Sequence, residues 1–568
     1  MNPEYGIERA GLASGGLRLA LRSASSRSMG GLASRALAVR ALPFILIALG
    51  LAVRIVPWWA NYPLHRDEAL YGQWARLISS GQDPLLLTAW VDKPPLVPYL
   101  LAISLQLFGV SELALRLPGM IAGVMTLGVL YACGRRAYGQ RTALIAVALL
   151  AASPFAILFG PTAFTDPWLA LFLAAAVWAA LAGRPFWAGL GIGLAIASKQ
   201  QGILGVPLVV ALVFWQVLVQ ARAIPRSGRP AHPTWVLLLL TTSLLIAGVV
   251  LVIGPVSYWD SLRWSNRPSF WEHSISTYGG IGLASVGVWP VRAAGWAQLL
   301  GYLFGSPGPS AAILGLAAVA GLAGATVGPR RDGFPGLGAH TRNAGTGGPG
   351  EASRTRWLDL GLGSYVAFYL AAHFVSTVQA WDRYLLPVVP LICLLAASGM
   401  QRTWGLLGGW RSNGLARPAA VAALGLLLAF GSWKGISASV PVGSDHGAYY
   451  GMARVVAELR SQPRETVIYD HSLGWFYGFY MFGAHQEVRW WDSAWKLADD
   501  AARTALAEPK RSQLLALPGW EDEEANKIRL ALAGRRLGLQ ERLRTYRPDG
   551  TRSFTLYQIL PEGKGDAS

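Results

Sequence analysis

The stretch that decides the fold is ALPFILIALGLAVRIVPWWANYPLHRDE, residues 41–68, in which a long apolar run ends at a cluster of charged side chains. The apolar part, Ala41–Trp59, has about the length of a helix that crosses a bilayer. Further runs of this kind follow at Leu117–Cys133, Ala143–Gly160, Pro167–Ala182, Trp187–Ala197, Ile203–Val219, Trp235–Val256, Ala311–Val327, Leu358–Ser376, Leu385–Met400 and Ala419–Trp433. The sequence therefore predicts an α-helical polytopic membrane protein with about eleven transmembrane helices.

The composition excludes several classes of protein. Charged residues make up 14% of the 568 residues and hydrophobic residues 53%, which argues against a soluble enzyme, a disordered chain or a fibrous protein. A net charge of +18 would indicate nucleic acid in a soluble protein, but the arginines lie in loops between apolar runs, and we expect no nucleic-acid partner. Cys133 and Cys393 both fall within apolar runs, so neither a disulfide framework nor a paired-cysteine metal site is available.

Basic loops predict the orientation of the chain in the plasma membrane. Residues 1–40 form a basic tail that we place in the cytosol, and the loops expected on that side are basic too. Those loops contain Arg135, Arg222, Arg330 and Arg402. The alternation holds only if Leu96–Phe108, which is short for a span, lies at the outer interface without crossing. The loops at 60–116 and 257–310 then face the outside, together with most of the acidic side chains.

Two further segments complete the predicted organisation around a membrane domain at 41–433. The glycine-rich stretch 328–357 offers no apolar face and is predicted to be a disordered cytosolic linker. Residues 434–568 alternate short β-type runs with helical stretches, which predicts a small α/β domain on the outer face. The β-type runs are Thr466–Tyr469, Leu514–Leu517 and Phe554–Leu560, and the helical stretches are Tyr449–Arg460 and Glu523–Leu532.

The first charged cluster has two interpretations. Asp67 can cap a helix at Glu68–Ser80, with Glu68 favoured near the positive helix end. Alternatively, a carboxylate just beyond the first span lies where a general base would meet a lipid-borne substrate. Position alone does not separate a cap from a catalytic base.

The other polar residues near the predicted outer face are equally ambiguous. Lys93 can neutralise Asp67 or contact an anionic head group, or it can form an ordinary ion pair with Asp92. Asp166, before Pro167, is a second helix cap or a second carboxylate facing the same substrate or cation. Lys199 interrupts an apolar hairpin, as a snorkelling lysine or as a functional group.

A metal site is only weakly indicated. His273 in the long outer loop could ligate a metal together with Asp92. One histidine and one carboxylate fall short of the three or four protein ligands usual for zinc. No cofactor is therefore assigned, and a divalent metal stays an open alternative.

The order of several short motifs resembles the polytopic GT-C glycosyltransferases of the protein O-mannosyltransferase and aminoarabinose transferase type. The resemblance runs from about Ala41 to Met400, and its specificity comes from the joint order of the motifs. The motifs are Asp67-Glu68-Ala69-Leu70-Tyr71, Asp92-Lys93-Pro94-Pro95, Ala114-Leu115-Arg116-Leu117-Pro118, Gly134-Arg135-Arg136, Thr165-Asp166, Ser198-Lys199 and Arg383-Tyr384-Leu385-Leu386-Pro387.

The resemblance implies a sugar donor carried on a polyprenyl phosphate and an acceptor glycosylated at the outer face. It implies Asp67 as the catalytic base and Lys93 as a neighbour of the donor phosphate or of that base. It also places Arg383 and Tyr384 near the donor, and Asp166 at a second acidic position. Leu70 is a departure, since aminoarabinose transferases carry an arginine there, so that sugar is not assigned.

We therefore predict a membrane glycosyltransferase that moves a hexosyl or pentosyl group to a hydroxyl of a lipid, glycan or protein acceptor, with inversion. Glu68, Lys93, Asp166, Lys199, Arg383 and Tyr384 are the predicted substrate-binding residues. A positioned carboxylate accelerates such a transfer by about 10²–10⁴-fold. The alternative is a lipid or solute transporter in which Asp67, Asp166, Lys199 and Arg383 mark a translocation path.

Overall fold

The computed structural model describes residues 40–223, 233–277, 279–325, 349–407, 416–441 and 447–562. The predicted basic tail up to residue 39 and the predicted linker at 328–348 lie outside the described residues. The membrane region consists of α1 (Arg40–Trp59), α2 (Arg66–Ser79), α3 (Leu96–Phe108), α4 (Glu112–Tyr138), α5 (Gln140–Ala152), α6 (Pro154–Phe159), α7 (Asp166–Leu181), α8 (Pro185–Ser198), α9 (Val206–Ala223), α10 (Thr234–Ser261), α11 (Phe270–Thr277), α12 (Trp289–Gly301), α13 (Pro307–Ala325), α14 (Pro349–Val375), α15 (Val389–Leu407) and α16 (Ala416–Ile436).

Six helices in the described part of the chain are long and apolar enough to cross a membrane, judged by length and composition. The shorter apolar helices, such as α7 with 16 residues and α8 with 14, lie among them. The predicted run Ala143–Gly160 is divided into α5 and α6 at Ser153, because Pro154 cannot donate the backbone hydrogen bond that would continue α5. Residues 349–357, predicted as the end of the disordered linker, form instead the beginning of α14.

Helix α3 does not carry the chain across the membrane domain. The indole of Trp58, at the end of α1, donates to the carbonyl of Leu113 at the start of α4, at 3.2 Å. Arg116 of α4 donates to the carbonyl of Tyr62 at 2.6 Å. The chain therefore leaves α1 and enters α4 at the same end of the domain, as the sequence predicted for Leu96–Phe108.

Glycine allows close packing where α8 crosses α10. A Cβ at Gly189 would lie 2.0 Å from the carbonyl oxygen of Leu245, and one at Gly248 would lie 2.2 Å from that of Phe186. Small residues let helices approach until their backbones touch, which is the usual way to pack helices where no water drives association. This contact joins the first half of α8 to the middle of α10.

The C-terminal residues fold around a five-stranded sheet with strand order β2-β1-β3-β5-β4. Strands β2, β1 and β3 are parallel, whereas β5 is antiparallel to both β3 and β4. The elements are α17 (Met452–Ser461), β1 (Val467–Asp470), α18 (Gly474–Tyr480), β2 (Glu487–Trp490), α19 (Ala494–Ala507), β3 (Gln513–Pro518), α20 (Asp522–Ala533), β4 (Leu537–Tyr546) and β5 (Arg552–Pro561). Below we call residues 447–562 the C-terminal domain.

The C-terminal domain is fixed to α2 through α18. A Cβ at Gly72 of α2 would lie 2.7 Å from the ring of Phe479, so the two helices touch closely. Arg76 of α2 donates to the carbonyl of Phe479 at 2.7 Å and lies 4.6 Å from the ring centre of Phe482. We call the end of the membrane domain that carries this contact the domain-bearing end.

Candidate active site

His65, and not Asp67, caps α2. The Nδ1 atom of His65 accepts from the backbone N–H of Asp67 at 3.0 Å, and the Glu68 carboxylate accepts from the backbone N–H of His65 at 3.0 Å. The two bonds form a capping box, which satisfies donors at the helix start from both directions. The interpretation of Asp67 as an N-cap is wrong, because the helix begins earlier in the sequence and another side chain takes the role.

Glu68 is held entirely by protein groups. Its carboxylate accepts from Nε and Nη2 of Arg116, at 2.9 and 2.7 Å, and from the backbone N–H of Ala163 at 2.9 Å. The residue is 2% exposed. These donors, the His65 backbone and full burial make Glu68 a structural anchor that joins α2, α4 and the loop before α7. The prediction that it binds substrate does not fit this geometry.

Asp67 differs from its neighbour in both exposure and contacts. Its side chain is 30% exposed and accepts from Nη2 of Arg383 at 2.6 Å. Burial alone would raise the pKa of Asp67, but Arg383, His65 and Lys93 outweigh it and hold the pKa below its usual value. Asp67 is therefore an ionised, accessible carboxylate at neutral pH.

Arg383 is brought to Asp67 by the short 3-10 helix Asp382–Leu385. Its guanidinium lies 4.8 Å from the ring centre of Phe164 and 5.5 Å from that of Trp381. Two aromatic faces and a carboxylate stabilise the cation although its side chain is only 8% exposed. Asp67 and Asp166 both favour the charged form of Arg383, so the two carboxylates flank one cation.

A second buried ion pair lies beside the first. Asp166, the first residue of α7, accepts from Nζ of Lys199 at 2.6 Å, and both side chains are buried. Thr165, and not Asp166, occupies the cap position, so the prediction of a second aspartate cap is wrong as well. Burial lowers the pKa of Lys199 to about 8; Asp166 opposes this shift, whereas Arg383 adds to it. The Lys199 ammonium also lies 4.2 Å from the ring centre of Tyr384.

Tyr384 has a supporting place in this arrangement. It is 5% exposed, and its carbonyl accepts from the hydroxyl of Tyr369 at 2.8 Å. Its ring supports the Lys199 cation.

The Lys-Pro-Pro segment adds a third ion pair. Lys93 bonds to the Asp92 carboxylate, and both side chains are largely buried. The Asp92 carbonyl accepts from the side-chain amide of Gln200 at 2.6 Å, which ties this loop to the turn that carries Lys199. Lys93 lowers the pKa of both Asp67 and Lys199. The structure thus brings together the predicted residues Asp67, Asp92, Lys93, Asp166, Lys199, Arg383 and Tyr384.

His273 approaches this group from α11. Its ring lies 5.1 Å from that of Trp90, and burial lowers its pKa while Asp92 opposes that shift. That His273 and Asp92 ligate a metal together stays a prediction. Among the residues that the structure describes, no three His, Cys, Asp or Glu side chains form a group able to hold a metal ion. Two ligands with Lys93 beside them do not make a metal site, and no metal is assigned.

Two residues that position the loop at 60–116 were missed from the sequence. Asp83 accepts from the backbone N–H of Leu87 and of Thr88, at 2.7 and 2.8 Å. Arg263, fully buried after α10, donates to the carbonyls of Leu86 and Ala89 at 2.9 and 3.1 Å. The sequence signals were an acidic residue in a predicted outer loop and an arginine in a tryptophan-rich segment that also contains Arg267, and neither reveals its partners.

Comparison with known proteins extends this description. A model of the dolichyl-phosphate-mannose-protein mannosyltransferase family matches residues 92–259, which include Lys93, Asp166 and Lys199. The undecaprenyl phosphate-α-4-amino-4-deoxy-L-arabinose arabinosyl transferase 2 of Pseudomonas fluorescens is 29% identical over 202 residues. That match covers 31% of this chain and 33% of the relative, so the relative's activity is carried over only as a proposal.

Solved structures decide the fold. ArnT from Cupriavidus metallidurans, bound to undecaprenyl phosphate, aligns with a TM-score of 0.57 and 18% identity over 90% of this chain and 97% of its own. The oligosaccharyltransferase of Archaeoglobus fulgidus in the apo form aligns with a TM-score of 0.51 and 13% identity over 91% and 74%. The chain has the GT-C glycosyltransferase fold. The GT-C resemblance predicted from the motifs is confirmed.

Proposed function

We propose that this protein transfers a hexosyl or pentosyl group from a polyprenyl phosphate to an acceptor hydroxyl at the outer face of the plasma membrane, with Asp67 as the general base. The observation that carries the proposal is the contact between the partly exposed Asp67 carboxylate and Arg383, flanked by the Lys93 and Lys199 ion pairs. The carboxylate can accept the proton of the acceptor hydroxyl, and the cations can stabilise the charge of the leaving phosphate.

The donor phosphate is bound by the cations. A guanidinium has five N–H donors, of which the contact with Asp67 uses one, so Arg383 can hold the phosphate while it stays near the base. Lys93 and Lys199 stand close enough to Arg383 and Asp67 to share that charge. Polyprenyl phosphate is already a good leaving group, and stabilising its developing charge matters more than protonating it.

The chemical step is a single displacement. The acceptor oxygen attacks the anomeric carbon, the bond from that carbon to the phosphate oxygen breaks, and the hydroxyl proton passes to Asp67. The products are the glycoside, with inverted configuration, and polyprenyl phosphate. When the phosphate draws Arg383 towards itself, the charge that lowers the pKa of Asp67 is partly neutralised, so donor binding makes the carboxylate a better base.

The orientation and the alternative function follow from the charge distribution. Arg135, Arg136 and Arg402 lie at the helix ends remote from the C-terminal domain, and basic residues favour the cytosolic side, so we place the domain-bearing end outside. We propose that the shorter apolar helices also cross the membrane, beside the six longer ones. A transporter is not favoured, because the ion pairs of Asp67, Asp92 and Asp166 cluster at the domain-bearing end, and the pair at the other end, Asp359 with Arg402, joins helices through a fully buried carboxylate.

The decisive experiment uses the purified full chain in proteoliposomes, with radiolabelled mannosyl and aminoarabinosyl polyprenyl phosphates as donors. We expect label to leave the lipid, slowly to water alone and faster to an acceptor, and this release to be lost in Asp67→Asn. Movement of intact labelled lipid across the bilayer without release of the sugar would overturn the proposal and favour the transporter.

A further inference from the structure

The carboxyl edge of the parallel strands in the C-terminal domain lies next to the candidate base. Strand β1 ends at Asp470 and is followed by His471, and β3 is followed by Trp520 and Glu521. Burial raises the pKa of both Asp470 and Glu521, and Arg66, exposed and adjacent to Asp67 in sequence, is close enough to oppose that shift at both carboxyls. The edge therefore lies near the start of α2, the helix that carries Asp67.

The sheet topology makes this edge a crevice. After β1 the chain enters α18, which packs on the side of the sheet that faces α2, whereas after β3 it enters α20, which packs with α19 on the other side. Adjacent parallel strands whose connections leave to opposite sides form the crevice at which open α/β sheets bind ligands. Here that crevice lies between His471 and Glu521.

Aromatic rings line the crevice. The imidazole of His471 stacks with Trp490 at 5.2 Å and with Trp491 at 4.5 Å, with interplanar angles of 26° and 24°. Trp491 is buried, but Trp490, on the edge strand β2, is 66% exposed. A large indole held flat by its neighbour and left exposed is a platform for a flat, partly apolar ligand face.

Two polar atoms of residues that follow β2 and β3 at this edge have no hydrogen-bond partner among the described residues. They are Nε1 of Trp491, a side chain that is 4% exposed, and Oε2 of Glu521. An unpaired buried donor or acceptor costs free energy that a ligand bonding to it would recover. One donor and one acceptor match hydroxyl groups, which can both accept and donate.

A groove continues from the crevice along the domain. It is lined by Trp520, Tyr546 and Arg547, among others, and its volume is about 460 Å³. Trp520 is 47% exposed and Tyr546 is 55% exposed. Exposed rings along a groove suit an extended ligand better than a single small molecule.

We propose that the carboxyl edge of β2, β1 and β3 is the acceptor subsite and that it takes a sugar residue of a glycan, whose ring stacks on Trp490. The inference rests on the proposed function and deepens it, since it names the acceptor class. A sugar has an apolar C–H face for the indole and hydroxyls for Glu521 and Trp491, whereas a serine or threonine side chain offers nothing for the exposed ring.

The test compares Trp490→Ala with Leu506→Ala in the full chain. Leu506 is 83% exposed at the end of α19, which runs from the carboxyl edge of β2 to the amino edge of β3, so this control removes apolar surface from the opposite edge. Saturation-transfer NMR would first identify which of maltotriose, triacetylchitotriose and trigalacturonate binds the wild type. We expect Trp490→Ala to raise the acceptor KM about tenfold with kcat and donor KM unchanged, and Leu506→Ala to change none of them.

Donor hydrolysis in the absence of acceptor separates the two proposals. If the wild type hydrolyses the donor but no saccharide binds, or a serine-containing peptide binds instead, the acceptor inference is overturned and the transferase stands. An unchanged acceptor KM in Trp490→Ala would also overturn the acceptor inference and leave the transferase proposal standing. If the wild type does not hydrolyse the donor, the proposed function fails, and the acceptor inference fails with it. Glu521→Gln, which keeps the side-chain size, should raise the acceptor KM more modestly.

Discussion

Two aspartate–arginine pairs stand at the two ends of the membrane domain, and they differ in what surrounds them. At the end remote from the C-terminal domain, Asp359 is fully buried and accepts from Tyr138 at 2.7 Å, from Ser398 at 3.1 Å and from Arg402. At the domain-bearing end, Asp67 is 30% exposed and bonded to Arg383. A saturated, buried carboxylate joins helices, whereas a partly exposed carboxylate with a shared cation is available to a substrate.

The largest effect on transfer should distinguish Asp67 from Asp359. Asp67→Asn should lower transfer at least about a hundredfold, because an amide cannot accept the hydroxyl proton. Its melting temperature should fall less than that of Asp359→Asn, since His65 still caps α2 and Asp166 still offsets part of the Arg383 charge. Turnover by purified protein and thermal unfolding give the two measurements.

Asp359→Asn is the matched control. It should lower the melting temperature, because Arg402 loses its charged partner at a buried site, while kcat of the folded protein stays normal. Near-normal turnover in Asp67→Asn would remove Asp67 as the base and leave Asp166 as the next carboxylate at that end.

The second prediction tests whether Glu68, unlike its neighbour Asp67, has a structural role. Glu68→Ala leaves Arg116 buried without its charged partner and should destabilise the protein by about 3–5 kcal/mol. The milder Glu68→Gln should fold, with a lower melting temperature and donor KM within about twofold of the wild type. A selective rise in donor KM at unchanged stability would return Glu68 to the substrate-binding residues.

The sequence predicted a mostly helical chain with several apolar helices, because an apolar run of bilayer length usually forms a helix; of the about eleven predicted spans, six described helices have the length and composition to cross a membrane. It failed where a local feature overrides the run, as at Pro154, which divides the predicted span in two. In the C-terminal domain it located β1, β3 and β5, whose residues are mostly buried. Strands β2 and β4 were missed, because exposed strands carry charged residues and lack a continuous apolar run.

For the site, the sequence predicted the residues better than their partners. Asp166 and Lys199 are 33 positions apart, and Asp67 and Arg383 are 316 apart, so helix packing alone brings each pair together. The roles of Asp67 and Glu68 could not be separated from the sequence, because both are acidic and adjacent. The separation depends on Arg116 and on the His65 cap, which only the folded chain places beside them.

The third prediction concerns donor affinity. Lys93→Ala should weaken donor binding by roughly 1.5–3 kcal/mol, about ten- to a hundredfold, if the lysine contacts the phosphate. Because Asp92 would then be buried without its cation, the double variant Lys93→Ala/Asp92→Asn separates the lost contact from the stranded charge. Donor titration of both variants decides the matter. Wild-type affinity in the double variant would make Lys93 a structural partner of Asp92, as Arg402 is of Asp359.

The smallest effect should come from pH, through the protonation of the Lys199 ammonium. With a pKa of about 8, Lys199 loses its proton just above neutrality, so phosphate binding should weaken as the pH rises through that value. At a pH of about 9, roughly one molecule in ten would keep the ammonium, whereas an arginine stays charged. Lys199→Arg should therefore flatten the alkaline limb of the donor KM profile, even if its larger head group lowers the maximal rate several-fold. A limb that persists unchanged in Lys199→Arg would assign the titration to another group and make the Lys199–Asp166 pair as structural as the one at Asp359.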